Sequence, residues 1–184
     1  MACWLFKSEP GVFSWEHLKA RGVKGEPWDG VRNYQARNNM RAMRLGDRGF
    51  FYHSGEGREI VGILEVIALA HPDPKDGSGT WECVDVAAAA GMPRPVMLDE
   101  IKANPKLAEM ALVKNSRLSV QPVTAQEWAE VCRMGGLASG KTSGLASGKT
   151  GGLASGKTSG LASGKTGGLA SGKTGGLGPK MTKR

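Results

Sequence analysis

Five arginines, Arg32, Arg37, Arg41, Arg44 and Arg48, stand against two acids, Asp29 and Asp47, in the stretch W-D-G-V-R-N-Y-Q-A-R-N-N-M-R-A-M-R-L-G-D-R-G-F-F-Y-H-S (28–54). A helix opened by Asn33 stacks Arg37, Arg41 and Arg44, at i, i+4 and i+7, on one face. With Arg48 they form an expected phosphate-contacting set. Ala36, Met40 and Met43 share that spacing on another face and should enter the core. The helix start near Asn33 to Gln35 adds free backbone N–H groups, which attract anions. An arginine stripe is also what an ordinary solvated face looks like, so the surrounding residues must decide. Trp4, Trp28 and Tyr52 offer flat faces, while Asn33, Gln35, Asn38, His53 and Ser54 offer paired donors and acceptors. Nucleobases are recognised by that mixture, a ring to stack on and hydrogen bonds to the base edge. Trp4 and Tyr52 fall on strand-like segments, where core packing is the competing reading. A lone His53 more often holds structure than catalyses. Trp28, between Pro27 and Asp29, reads as an exposed loop ring in want of a partner.

The elements that must position these residues follow from local chemistry. Cys3 to Phe6 reads as a short buried strand closed by a Pro10-Gly11 turn. Ser14 caps a helix to about Ala20, with Trp15 and Leu18 on one face and Gly22 as its stop. Gly25 to Gly30 is a loop, and the Asn33 helix should run to about Leu45. Strands are expected over Gly49–His53, Ile60–Leu69 and Thr80–Ala88, the second apolar enough to be buried on both faces. Short helices are expected over Leu98–Asn104 and Lys106–Met110. Arg117 to Val123 is extended, with Pro122 marking an edge. Thr124-Ala125-Gln126-Glu127 is a capping box opening a last helix. Short strands mixed with short helices give an α+β class, best arranged as a small β-barrel decorated by helices.

Composition divides the chain at about residue 134. Every aromatic residue precedes position 129, whereas 16 of the 28 glycines lie in the last fifty positions. Eight of the 25 basic residues and none of the 17 acids fall after Gly135, so residues 1–134 are electrically neutral. The pI near 9.6 therefore describes the tail and not the domain. That tail repeats Gly/Ser-Gly-Leu-Ala-Ser-Gly-Lys-Thr five times, and the units at Gly135, Gly151 and Gly167 match a phosphate-loop pattern. The match lacks the strand and helix that would hold such a loop around phosphates, and Ser143 and Ser159 break it in alternate units. One leucine per eight residues does not offset the entropy of ordering, so 135–184 is expected to be a disordered basic tail. Its cations suit a non-specific, salt-sensitive polyanion tether.

Cys3, Cys83 and Cys132 lack metal or redox-pair spacing and read as buried thiols in a reducing compartment. No cofactor, metal or membrane partner is expected. Met1-Ala2-Cys3-Trp4 does not resemble a secretion signal. The expected location is the cytoplasm, with nucleoid association in a bacterium or a nuclear location in a eukaryote.

The segments C-W-L-F-K-S-E-P (3–10), W-D-G-V-R-N-Y-Q-A-R-N-N-M (28–40), G-D-R-G-F-F-Y-H-S (46–54), V-G-I-L-E-V (61–66) and R-L-S-V-Q-P-V-T (117–124) together resemble the EVE-domain family. The resemblance implies a PUA-like barrel, related to YTH and ASCH domains, and a pocket reading modified bases in DNA or RNA. By the same analogy the pocket draws on Trp4, Lys7, Glu9, Trp28, Arg32, Asn33, Gln35, Arg37, Asn38, Tyr52, His53 and Gln121. The tail is not part of the family pattern. The leading expectation is a non-enzymatic reader of a methylated or hydroxymethylated base. The alternative is an ASCH-like hydrolase of a modified nucleoside, for which Lys7, Ser8, Glu9, Asp29 and His53 could supply nucleophile and base. A third reading has the arginine face meeting an acidic protein.

Overall fold

The computed structural model describes residues 1–137, and the expected disordered tail lies outside the described residues from position 138 onward. Six strands form one mixed sheet: β1 (Cys3–Ser8), β2 (Glu26–Pro27), β3 (Arg48–His53), β4 (Glu59–Pro72), β5 (Glu82–Met97) and β6 (Val120–Val123). Their order is β2-β5-β4-β3-β1-β6, with β1 parallel to β3 and the other pairs antiparallel. Pro122 accordingly sits on an edge strand, where its missing N–H costs nothing. The register shifts once along β3–β4 and four times along β4–β5, and such bulges coil a sheet around its contents. The α+β class, with helices decorating one curved sheet, is as expected.

Alternation along the strands sorts the side chains into two buried layers. Trp4 and Phe6 of β1 and Phe51 of β3 join Trp28, Leu64, Val84 and Val86 in the first. Leu5, Phe50 and Tyr52 point the other way, to Ile60, Ile63 and Val96. Helices α1 (Trp15–Arg21) and α2 (Tyr34–Arg41) close the first layer through Trp15, Leu18, Ala36 and Met40. Helices α3 (Leu98–Ala103), α4 (Ala111–Lys114) and α5 (Ala125–Met134) close the second through Ile101, Leu112 and Val131.

Three helix starts are as expected. Ser14 and His17 form a capping box on α1, Asn33 accepts the Ala36 N–H at 2.9 Å, and Thr124 and Glu127 cap α5 reciprocally. Two helices differ. The Lys106–Met110 segment is instead a 3-10 turn at Pro105–Leu107 followed by α4. Helix α2 stops at Arg41 and not near Leu45. The buried Asp47 carboxylate causes the stop: it accepts N–H bonds from Arg44 (3.1 Å), Ala2 (3.0 Å) and the Trp4 indole (3.2 Å). The chain must leave the helix to reach it. Arg44 is therefore not on the helix, and the expected three-arginine stripe is shortened to Arg37 and Arg41.

The end of α5 uses the first residues of the glycine-rich repeat. Gly136 takes a positive φ of 79°, its N–H reaches the Arg133 carbonyl (3.2 Å), and the Leu137 N–H reaches Cys132 (2.9 Å). This is a Schellman stop, and Leu137 packs on the second layer as that motif requires.

Candidate functional site

The end of β1, the turn at Val12–Phe13 and the segment Glu26–Arg32 enclose a cleft of about 430 Å³, completed by Arg21, Lys75 and Ser119. That is within the usual span of small-molecule sites, roughly 300–1,000 Å³. Among the described residues, three further depressions, of about 410 to 510 Å³, have no aromatic lining residue. Composition therefore singles out the first. Trp28 forms its floor. The indole is 7% exposed and meets Phe6, Phe51 and Phe13 nearly edge to face, with centroids 5.1, 5.5 and 6.2 Å away. Its backbone N–H donates to Val84 at 2.8 Å, which sets the ring's depth against β5.

Charged groups rim the floor. Lys7 lines the cleft, but its ammonium turns toward the opposite layer, 5.9 Å from the Tyr52 ring centroid, where it donates to the Ser116 carbonyl at 3.0 Å and burial pushes it down to about 8. Asp29 pairs with Lys75 at 2.9 Å and Glu26 with Arg21 at 2.8 Å. Arg32 donates to Asp73 at 2.6 Å, and the same carboxylate accepts the N–H groups of Gly30 (2.9 Å) and Lys75 (2.7 Å). Burial alone would raise the Asp73 carboxyl, but these donors outweigh it and hold the group below its usual value. Asp76 tightens the same loop by accepting from Ser78 and the Trp81 N–H, which lowers its carboxyl to about 2. The result is an aromatic-floored cleft whose polar groups are fixed before a ligand arrives.

The EVE-domain family model matches residues 2–134. This chain belongs to the EVE-domain family. Mouse thymocyte nuclear protein 1 is 39% identical over 157 residues, covering 68% of this chain and 70% of that protein. A solved protein from Agrobacterium tumefaciens is 62% identical, covers 76% of this chain and 96% of its own, and superposes with a TM-score of 0.74. Human THYN1 protein, solved in complex with 5-methylcytosine-containing DNA, is 36% identical with a TM-score of 0.68, covering 73% of this chain and 98% of that one.

Within this EVE domain the residues expected at the site divide sharply. Lys7, Trp28 and Arg32 line the cleft, as do Ser8 and Asp29 of the hydrolase alternative. Trp28 is not an exposed loop ring: pairing of Glu26–Pro27 with β5 buries it. Trp4 is in the same layer but spends its indole N–H on Asp47. Tyr52 faces the opposite layer. Gln121 is fully buried, donating to the Asn115 and Leu118 carbonyls at 2.9 and 2.8 Å. Asn33 is occupied as a cap, Asn38 accepts from Arg37, and Gln35 is exposed on α2. Glu9 is exposed, and its carbonyl accepts from Val12 and Phe13, shaping the turn that brings Phe13 to the cleft. The Ser54 N–H donates to Ser8, tying β3 to β1.

The arginines are equally divided. Arg37 donates to the Thr80 carbonyl at 2.9 Å, and Arg41 is paired with Glu82. Arg44 and Arg48 line two different depressions, each distinct from the cleft. They do not form one phosphate-binding stripe. Phe13, Glu26, Lys75 and Ser119 were missed, as was Asp73 behind them. The paired aspartates of Pro72-Asp73-Pro74-Lys75-Asp76-Gly77 were the available signal, since Asp in such loops folds back onto backbone N–H groups.

Neither histidine-based arrangement has the geometry of a nucleophile and its base. His53 Nε2 accepts the Trp15 N–H at 3.1 Å, and burial lowers its pKa, so the ring serves as a neutral acceptor at the start of α1. Ser8 Oγ is directed to the Glu9 carbonyl at 3.5 Å. His71 bonds Asp85 at 2.8 Å, but Cys83 Sγ lies 3.8 Å from both ring nitrogens, against the ring and not in line with either. Burial pushes that thiol up to about 12, far from an activated thiolate. Among the described residues, no group of three His, Cys, Asp or Glu side chains is placed to hold a metal, and no helix is long and apolar enough to cross a membrane.

Proposed function

We propose that this domain is a non-enzymatic nucleic-acid-binding module that holds one methylated or hydroxymethylated base in the cleft over Trp28. The observation that carries the reading is the union of aromatic surfaces, Trp28 and Phe13, with fixed polar groups, Asp29 and Arg32, in one cleft. The solved human THYN1 protein, bound to 5-methylcytosine-containing DNA and 36% identical, supports the same ligand class here. Phe13 and Trp28 supply stacking and a surface for the added methyl. Asp29 and the backbone of Gly30 and Val31 suit the base edge, and Lys7 and Arg32 suit the neighbouring phosphates.

Magnitudes limit how selectivity arises. Burying a methyl contributes about 0.8 kcal/mol, some fourfold in affinity. Stronger discrimination needs an unmodified base to leave a void or an unpaired polar group against the fixed rim. Extruding the base from a duplex costs a further few kcal/mol. We further propose that the basic tail beyond the domain adds a salt-sensitive, sequence-independent tether to the same nucleic acid.

The test is titration of oligonucleotides carrying cytosine, 5-methylcytosine or 5-hydroxymethylcytosine, as DNA and as RNA, followed by chemical-shift mapping. A modified strand that binds more tightly and shifts Lys7, Phe13, Trp28 and Arg32 supports the reading. Equal affinity for all strands, or release of a processed base, refutes it.

A further inference from the structure

Beside the cleft lies a second aromatic group that the pocket does not use. Tyr34, the first residue of α2, is 61% exposed, an unusual position for a large ring. It is held nonetheless: the half-buried Trp81 ring packs against it with centroids 4.9 Å apart and planes tilted by 36°. The Arg37 guanidinium carbon lies 4.9 Å from the Tyr34 centroid and 5.9 Å from that of Trp81. Arg37 reaches this position by donating to the neutral oxygens of Thr80 and Asn38, at 2.9 and 3.3 Å. Its charge is therefore not consumed by a carboxylate in direct contact. Arg32 also lies over the Trp81 ring, 5.7 Å from its centroid, and is a wall of the cleft.

We infer that Tyr34, backed by Trp81 and Arg37, is a stacking platform for the nucleotide next to the base held over Trp28. The ligand is then a strand and not a free nucleoside. The inference rests on the proposed pocket, with which the platform is continuous through Arg32. At 61% exposure the Tyr34 ring keeps open surface for a base beside its contacts with Trp81 and Arg37, and that guanidinium is placed for the adjoining phosphate. Loop contacts keep the arrangement rigid, since the Trp81 N–H is bonded to Asp76 and its carbonyl to the Asp73 N–H.

The experiment uses the full chain with two probes: free 5-methyl-2′-deoxycytidine, and a labelled single-stranded DNA nonamer with one central 5-methylcytosine. Tyr34→Ala, at an exposed site, should weaken the nonamer about tenfold, the size expected for one stacked base, and leave nucleoside binding unchanged. Trp81→Ala should act in the same direction, and Tyr34→Phe should restore the nonamer. Nonamer affinity within twofold of the parent in Tyr34→Ala overturns the platform, as does equal weakening of both probes. Failure of the pocket reading looks different: nucleoside binding is absent, and plain and modified nonamers bind alike, while the effect of Tyr34→Ala on the nonamer still decides the platform. A parent chain that binds neither probe overturns both.

Discussion

Arg32 and Asp73 meet at 2.6 Å, a guanidinium 40% exposed on the cleft rim against a carboxylate side chain only 1% exposed. The pair joins the segment after β2 to the loop between β4 and β5, because Asp73 also accepts the Gly30 and Lys75 N–H groups. A partly neutralised Arg32 is a positioned donor more than a free cation. The cleft is shaped by the fold before it is charged by its arginines.

Removing the carboxylate should therefore harm both stability and binding. Asp73→Ala leaves two backbone donors and a guanidinium without their acceptor, and should cost about 2–4 kcal/mol in urea unfolding. Arg32→Ala should cost less, because Asp73 keeps its two N–H partners. The pH dependence has a definite sign. The folded Asp73 titrates below its usual value near 3.8, so its contribution is present above that pH and fades as pH falls further. Asp73→Asn should flatten the acid limb of the stability curve. An unchanged acid limb would show that the pair contributes nothing there.

Lys7 should make binding sensitive to mild alkali. Its ammonium titrates near 8 in the fold and near 10.5 in an unfolded chain. The unfolded chain thus holds more protons between those values, and stability of the free protein rises with pH across that window. Binding should move oppositely. If Lys7 meets a phosphate, nucleic-acid affinity falls as pH passes about 8, and Lys7→Arg, which stays charged, abolishes the step. Anisotropy titrations from pH 6.5 to 9.5 with the parent and Lys7→Arg would decide it.

Local chemistry was legible in the sequence, and pairing across distance was not. Ser14, Asn33 and Thr124 were readable as caps because a cap is satisfied within three residues. Trp28 was misread because its burial depends on Glu26 meeting Val86 and Pro27 meeting Asp85, some sixty positions away. Arg41 lost its place in a free stripe to Glu82, and α2 lost its last turn to Asp47, which also holds residues 2 and 4. Tyr52 was legible after all. In Phe51-Tyr52-His53 strand alternation puts Phe51 with Trp28 and Tyr52 with the other layer. Residue chemistry singled out Trp28 and Arg32, resemblance added Lys7, and composition could not have found Phe13 or Lys75.

A glycine pair across β4 and β5 offers a test of how closely α1 is seated. Gly62 and Gly91 face each other in the ladder. A methyl on Gly62 would lie 2.4–2.6 Å from Trp15 ring carbons, whereas one on Gly91 would find its nearest atom, Trp15 Nε1, at 3.8 Å. Gly62→Ala must displace α1 and should cost about 1–3 kcal/mol. Gly91→Ala should be neutral or slightly stabilising through the unfolded chain. Equal thermal midpoints for the two variants would refute the close seating of Trp15.

The boundary of the domain can be tested at single-residue precision. Composition places it near residue 134, yet Gly136 and Leu137 form the stop of α5. A chain ending at Met134 loses three N–H bonds to helix carbonyls, from Gly135, Gly136 and Leu137, the Arg94 N–H bond to the Gly135 carbonyl, and the Leu137 contact, and should be less stable than one ending at Leu137 by about 1–2 kcal/mol. Gly136→Ala in the longer chain should cost about 1 kcal/mol, because alanine resists a φ of 79°. The chain ending at Leu137 then isolates the tail's contribution to binding. It removes eight cations from an otherwise neutral protein. Modified-base selectivity should persist, while the slope of log affinity against log salt on plain duplex DNA should shrink by about 0.9 for each phosphate the tail had neutralised. Identical slopes with and without the tail would remove its role as a tether and leave the cleft as the whole interface.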